Sequence, residues 1–165
     1  MQVAYEVRDA TFGKGLFTPE HIPIGSCIWD RSAANLKIVL ASDAEKYVAK
    51  LDRGTLRTLL EYAYFGADGE LIDLTDDDGR YFNHSNSRSQ TNVALGSVLL
   101  EAAEANGTPP PDGIDPGSTY ALRDIAAGEE LLDDYNTYND EPQWYLDLLS
   151  EHGVDTSYCQ QPRTD

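Results

Sequence analysis

Several short stretches of this chain carry side chains that could do chemistry. Asp76-Asp77-Asp78-Gly79 is acidic enough to suggest a cation loop. With Gly79 at the sixth position of a calcium-loop template the first position falls on Leu74, so a solvated turn is the better fit. Gly13-Lys14-Gly15 has too few glycines, at the wrong spacing, for a phosphate loop or a dinucleotide fingerprint. Asn83-His84 follows the aromatic pair Tyr81-Phe82, and a histidine so flanked is usually a satisfied structural residue. A hydrolase built on a serine, His84 and an aspartate would want a GxSxG elbow, and the chain has none. Cys27 and Cys159 show no metal spacing and read as two idle thiols. The segment from Ala121 to Tyr135, ALRDIAAGEELLDDY, reads locally as a hairpin with an acidic edge.

The elements that must position these residues are short. Val3, Tyr5 and Val7 alternate with polar residues, as in a half-buried strand. Gly13 and Gly15 bracket a turn, Leu16-Phe17 starts a second strand, and Cys27-Ile28-Trp29 forms a third after the Pro23–Gly25 turn. Residues 36–40 make another strand. Ser42 and Glu45 fit a capping box, and the helix it opens carries Tyr47, Val48 and Leu51 and stops at Gly54. Leu56, Leu59, Leu60 and Ala63 predict a second helix, Asp68-Gly69 a turn, and residues 70–74 an edge strand. A short helix over 98–105 precedes the loop GTPPPDGIDPG at 107–117, between strands at 91–95 and 119–123. The last helix has Asp140 as its cap, Pro142 in its first turn and Gln143 completing a box; Trp144, Tyr145, Leu148 and Leu149 give its apolar face, and Gly153 ends it.

Size and charge bound the rest. A chain of 165 residues fits one domain. Such a domain can bury roughly two-thirds of its unfolded surface without disulfide staples. The net charge of −17, with Lys scarce, disfavours direct nucleic-acid binding, which needs Lys and Arg to displace counterions. It favours a basic partner, or equally a heavily hydrated acidic surface. The first ten residues lack a basic segment followed by an apolar run, so no secretory signal is expected. No apolar stretch approaches the ~20 residues of a membrane helix. The expectation is a soluble intracellular protein, cytoplasmic in a prokaryote and nuclear or cytoplasmic in a eukaryote.

Four motifs in this order resemble the SET-domain family: GKGLF at 13–17, RYFNHS at 80–85, ALRDIAAGEELLDDY at 121–135 and QWY at 143–145. The second matches the family's R-F-x-N-H-S pattern at Arg80, Phe82, Asn83, His84 and Ser85. The resemblance implies a β-rich α+β fold of several small sheets with a C-terminal pseudoknot. It implies one domain over 1–153, with 98–118 a loop and short-helix insertion and 154–165 a tail. It also implies a protein-lysine N-methyltransferase that uses S-adenosylmethionine, acts on a basic, lysine-rich protein or peptide, and needs no metal.

Site residues carry over by motif. Lys14 and Gly15 would pass their backbone close to the methionine end of the cofactor. Asn83 would bind the amino-acid end, since its amide both donates and accepts, and His84 would contact the adenine edge through its backbone. Tyr135, which ends the DY motif, takes the active-site tyrosine role. Tyr138 would wall the lysine channel or sit in the core. Trp144 would stack on adenine or simply pack its helix. The family follows N-H-S with two variable residues and Pro-Asn. This chain places Asn86–Thr91 before Asn92 and has no proline there. Counting from Asn92 puts Leu95 at the product-specificity position. That departure also admits an alternative, a catalytically silent SET-like module that binds a basic partner.

Overall fold

The computed structural model describes residues 1–66, 69–109, 112–137 and 141–154. In chain order they form β1 (Glu6–Ala10), β2 (Gly13–Phe17), β3 (Cys27–Trp29), β4 (Lys37–Val39), α1 (Ala41–Val48), α2 (Arg53–Tyr62), β5 (Ala63–Phe65) and β6 (Leu71–Asp73). There follow β7 (Asn83–His84), β8 (Val93–Leu95), α3 (Gly96–Ala105), β9 (Thr119–Ala121), β10 (Leu132–Asp133) and α4 (Gln143–Glu151). Short 3-10 turns cover Arg31–Ala33, Asp78–Tyr81 and Tyr135–Thr137. The result is a β-rich α+β fold of several small sheets, as the motifs imply. None of its helices is long and apolar enough to cross a membrane among the described residues.

The described residues divide into two compact units, the first from residues 1–34 and 81–134, the second from 35–80 and 135–154. In the first, β1 and β2 form an antiparallel hairpin with Arg8 opposite Gly15. The sheet β3-β9-β8 is antiparallel throughout. The pair β7 and β10 is parallel, with Leu132 beside Asn83 and Asp133 beside His84. Leu16, Ile28, Val93, Ile125 and Leu131 are fully buried in this unit. Cys27 is half-buried, and burial, then Asp30 and Asp115, push its thiol pKa up. Cys159 lies outside the described residues.

Several local expectations change here. The first strand runs over 6–10 rather than 3–7, and its residues are mostly exposed. Gly13 and Gly15 both lie within β2 instead of bracketing a turn. Gly13, at φ 77°, leaves the turn in a conformation that favours glycine. The helix predicted over 98–105 begins two residues earlier, at Gly96. A Cβ on Gly96 would overlap the Asp115 carbonyl, so the loop back to β9 can close onto the helix start. The 121–135 motif is not a simple hairpin. Its two halves bridge to other segments, Ile125 to Ile22 and Glu130 to Phe17.

The second unit packs an antiparallel sheet, β4-β6-β5, with α1, α2 and α4. Its core holds Val39, Val48, Leu59, Leu60, Phe65, Leu71, Tyr145 and Leu149. The strand expected at the edge, β6, is central, flanked by β4 and β5, both of which precede it in sequence. Ser42 does not cap α1, which starts at Ala41 with Leu40 as cap and no side-chain bond. Gly54 does not end that helix. It lies in the first turn of α2, where Asp52 accepts from the Gly54 and Thr55 amides. Asp77 is buried rather than solvated, its carboxylate accepting from the Asn35 and Gly79 amides. Pro142 caps α4 with no side-chain bond, while Asp140 and Asp68 lie outside the described residues.

Candidate functional site

The hairpin and the parallel strand pair of the first unit bring three predicted residues together. Lys14 points its amine into solvent, 2.6 Å from Asp9. The hydrogen bond and charge of Asp9 raise the Lys14 pKa, and Lys14 in turn lowers that of Asp9. The inward part of Lys14 is its carbonyl, which accepts from Asn83 Nδ2 at 3.0 Å. The same Nδ2 donates to Glu130 Oε1 at 2.7 Å. Both amide protons of Asn83 are thereby committed, and Oδ1 is the acceptor that side chain has left. Because both partners are oxygens, the amide orientation follows from the bonding.

Gly15 is buried and stands against this pair. A Cβ there would overlap Glu130 Oε1 and lie 2.9 Å from Asn83 Nδ2. Glycine at 15 therefore serves close approach, with no special turn involved.

His84 lies beside Asp133 in the β7–β10 pair, and the next amide, Ser85 N, donates to the Asp133 carbonyl at 2.8 Å. The His84 Nε2 is 2.6 Å from Asn86 Oδ1. The insertion after Ser85 folds into a turn closed by hydroxyls and carbonyls. Ser87 N donates to Ser85 Oγ, and the Gln90 and Thr91 amides both donate to the Ser87 carbonyl. These bonds do the turning that the absent proline would favour by its fixed φ.

Asn92, just beyond the turn, is 1% exposed. Its Nδ2 donates to the Glu130 carbonyl at 2.8 Å and its Oδ1 accepts from Leu132 N at 2.9 Å. One side chain thus fastens the segment leading into β10 to the start of β8. Leu95 is half-buried at the end of β8, opposite Thr119, and precedes α3 directly. It belongs to the β3-β9-β8 sheet.

Tyr135 and Trp144 belong to the second unit. Tyr135 is half-buried and opens the 3-10 turn that follows the buried pair Asp133-Asp134. Trp144 is half-buried on α4. Its ring meets Phe65 edge-on at 5.9 Å and Tyr145 at 5.6 Å. Tyr138 lies outside the described residues.

Two residues of the cluster, Glu130 and Asn92, were not singled out as site residues in the sequence. A signal for Glu130 existed: in extended backbone the neighbours Glu129 and Glu130 face opposite sides. Glu129 pairs with Arg123 at 2.8 Å while Glu130 turns to Asn83.

A family model described as the SET domain matches residues 13–136. The chain belongs to the SET-domain family. No curated protein matches it in sequence. Among solved structures, ctPRC2 in an autoinhibited conformation bound to S-adenosylmethionine has a TM-score of 0.56 at 16% identity, over 93% of this chain and 17% of that one. A humanized mutant of the Chaetomium thermophilum Polycomb Repressive Complex 2, bound to the inhibitor GSK126, has a TM-score of 0.54 at 16% identity, over 86% and 16%. The Neurospora SET domain protein DIM-5, a histone lysine methyltransferase, has a TM-score of 0.52 at 20% identity, over 81% and 52%. At these identities the likeness is one of fold. The SET chain spans about a sixth of the two Polycomb chains and about half of DIM-5.

Proposed function

We propose that this SET protein is a protein-lysine N-methyltransferase that takes its methyl group from S-adenosylmethionine. The acceptor is the ε-amine of a lysine in a basic protein or peptide. The observation that carries the proposal is the parallel pairing of Asn83-His84 with Leu132-Asp133. It joins the two most distinctive family motifs, and Tyr135 follows two residues later in the chain.

Residues 1–153 act as one SET-like domain in this proposal, with 98–118 as an insertion. The backbone at Lys14 and Gly15 and the Asn83 side chain hold the amino-acid end of the cofactor. His84 lies on the adenine edge through its backbone, and Trp144 covers that ring. The acceptor set fits such a ligand. Asn83 Oδ1 and the Glu130 carboxylate are acceptors, suited to an α-ammonium group.

Bound S-adenosylmethionine would supply a methyl on a sulfonium, already an activated electrophile. The protein must deliver a neutral amine in line with it. A free lysine has a pKa of about 10.4, so only about one in a few thousand is neutral at pH 7. A narrow aromatic channel disfavours the ammonium by desolvation, and a nearby positive charge acts in the same direction. The proton leaves to solvent before transfer. Tyr135 then accepts a hydrogen bond from the amine through its hydroxyl and aims the lone pair, while Leu95 lines the channel and excludes water. Alignment and water exclusion provide most of the rate gain. The acidic surface, with its net charge of −17, recruits the basic substrate by a salt-sensitive attraction.

The test is methyl transfer from labelled S-adenosylmethionine to a mixture of basic proteins, histones included, at low and high salt. The expected result is label on lysine, with Tyr135→Phe reducing transfer by roughly a hundredfold or more. Calorimetry should find its cofactor affinity unchanged. A mutant with full activity would remove Tyr135 from the site.

A second function, a silent module that binds a basic partner, draws on the changed turn after Ser85 and the engagement of His84 Nε2 with Asn86. It predicts binding of a lysine-rich peptide with no heat on titrating S-adenosylmethionine.

A further inference from the structure

The adjacent glutamates at 129 and 130 meet different fates. Glu129 is paired with Arg123. Glu130 has no lysine or arginine paired with it among the described residues, although it is only half exposed to solvent. Its carboxylate is fixed nonetheless. The backbone is held by the bridge to Phe17, by the Asn92 amide on the Glu130 carbonyl, and by Leu131 N donating to the Leu16 carbonyl at 2.7 Å. From that anchor Oε1 accepts from Asn83, and the lack of a Cβ at Gly15 leaves it room.

We propose that Glu130 is a positioning residue that also selects the ligand. Its carboxylate fixes the Asn83 amide and supplies the negative charge that favours a ligand bearing an α-ammonium group. This rests on the methyltransferase function above. The positioning follows from proton count. With both Asn83 N–H groups drawn to Glu130 and Lys14, Oδ1 is the atom left to meet the ligand. An ammonium donates, so it meets the right partner. The selection follows from charge. A fixed carboxylate with no paired lysine or arginine among the described residues attracts a cation from the ligand, and a charge-assisted hydrogen bond is about twice as strong as a neutral one.

Glu130→Gln separates the two roles. Glutamine keeps an oxygen that can accept from Asn83 but loses the charge. Calorimetry on the full chain would use three probes: S-adenosylmethionine, S-adenosylhomocysteine and methylthioadenosine, which lacks the amino-acid end. Glu130→Gln should weaken the first two by roughly tenfold, the gap between a charged and a neutral hydrogen bond, and leave the third unchanged. Glu130→Ala, which also frees Asn83, should weaken the first two further. Wherever methyl transfer is measurable, KM for S-adenosylmethionine should rise in Glu130→Gln while kcat at saturation holds. A thermal melt of each variant checks that it is folded.

Unchanged affinity for all three probes in Glu130→Gln would overturn the charge assignment, and so would an equal loss for all three. Failure of the wild-type protein to bind S-adenosylmethionine would overturn the methyltransferase function itself, and this inference with it. The two failures are therefore distinct.

Discussion

Each unit of this SET domain is stabilised internally by a different kind of force. In the first, the residues of interest lie on or beside strands of two to five residues, and side-chain amides set their alignment. Asn92 bonds the backbone at Glu130 and Leu132, and Asn83 bonds the Lys14 carbonyl and the Glu130 carboxylate. In the second, aliphatic side chains from α1 and α2 and a ring cluster of Phe65, Trp144 and Tyr145 form an apolar core. Apolar burial is strong but non-directional. Hydrogen bonds contribute less per group but fix distance and angle. The lesson is that the apolar unit can rest on burial, whereas the Gly15–Asn83–Glu130 cluster depends on directional bonds to hold its geometry.

The largest effect should come from the apolar side of this comparison. Phe65 is 3% exposed and meets Tyr145 edge-on at 5.0 Å. Phe65→Ala should destabilise the protein by about 3–5 kcal/mol through lost burial and a cavity. Hydrogen exchange would show the amides of α4 losing protection, since that helix contributes Trp144 and Tyr145 to the same cluster. Tyr145 also donates its hydroxyl to the Ala63 carbonyl. Burial, then Glu141 and Asp73, push its pKa well above the ordinary tyrosine value, so this hydroxyl stays protonated and able to donate. If α4 kept its protection in Phe65→Ala, the aromatic cluster would not be what anchors it.

The polar counterpart is Asn92→Ala. It leaves the Leu132 amide and the Glu130 carbonyl without their buried partner, which should cost about 2–4 kcal/mol. The loss of protection should centre on residues 130–132. Asn92→Asp sharpens the contrast. Its ionised form offers a second oxygen to the Glu130 carbonyl where a donor is needed, and desolvation raises the pKa of a buried acid. The protonated acid can both donate and accept. The stability gap to wild type should therefore narrow as pH falls through that raised pKa and widen as pH rises. Denaturant melts of the two proteins at matched pH measure the gap. A gap independent of pH would mean that the side chain fills space and does not pair.

Part of this was legible in the sequence. The strand at Cys27–Trp29 follows from a short apolar run after the Pro23–Gly25 turn, and the helix carrying Leu56, Leu59 and Leu60 from its one apolar face. The adjacency of the RYFNHS and DY motifs came through family resemblance, since a parallel pairing between segments so far apart in the chain leaves no periodic trace. What failed was local punctuation. Ser42-Glu45 and Gly54 carry the right residue types, but the real start signal was Asp52, whose carboxylate takes two amides of α2. Glu70–Leu74 looked like an edge because alternation reports which face is buried and says nothing of neighbours on both sides. Glu130 was hidden for a related reason. In an acidic chain a glutamate looks like surface, and only its approach to Gly15 and Asn83 distinguishes it.

The smallest effect concerns its neighbour. Glu129 receives Arg123 across the turn that contains Gly128, at φ 89°. Burial acts to raise the Glu129 pKa, but the hydrogen bond from Arg123, the Ala126 backbone bond and the Arg123 charge outweigh it, so the net shift is downward. A carboxylate with a depressed folded pKa contributes stability above its unfolded pKa of about 4.3, and loses it as pH falls through the lower folded value. The side chains of Arg123 and Glu129 are 40% and 35% exposed, so solvent screens the pair and its worth is well under about 1 kcal/mol. Glu129→Gln should therefore melt slightly below wild type near pH 7. The difference should vanish in acid, once pH has fallen through the lowered folded pKa and the wild-type carboxyl is itself protonated. Added salt should shrink it at neutral pH. A difference equally large at both pH values would show that this turn, like the Asn92 contact, is held by hydrogen-bond geometry rather than charge.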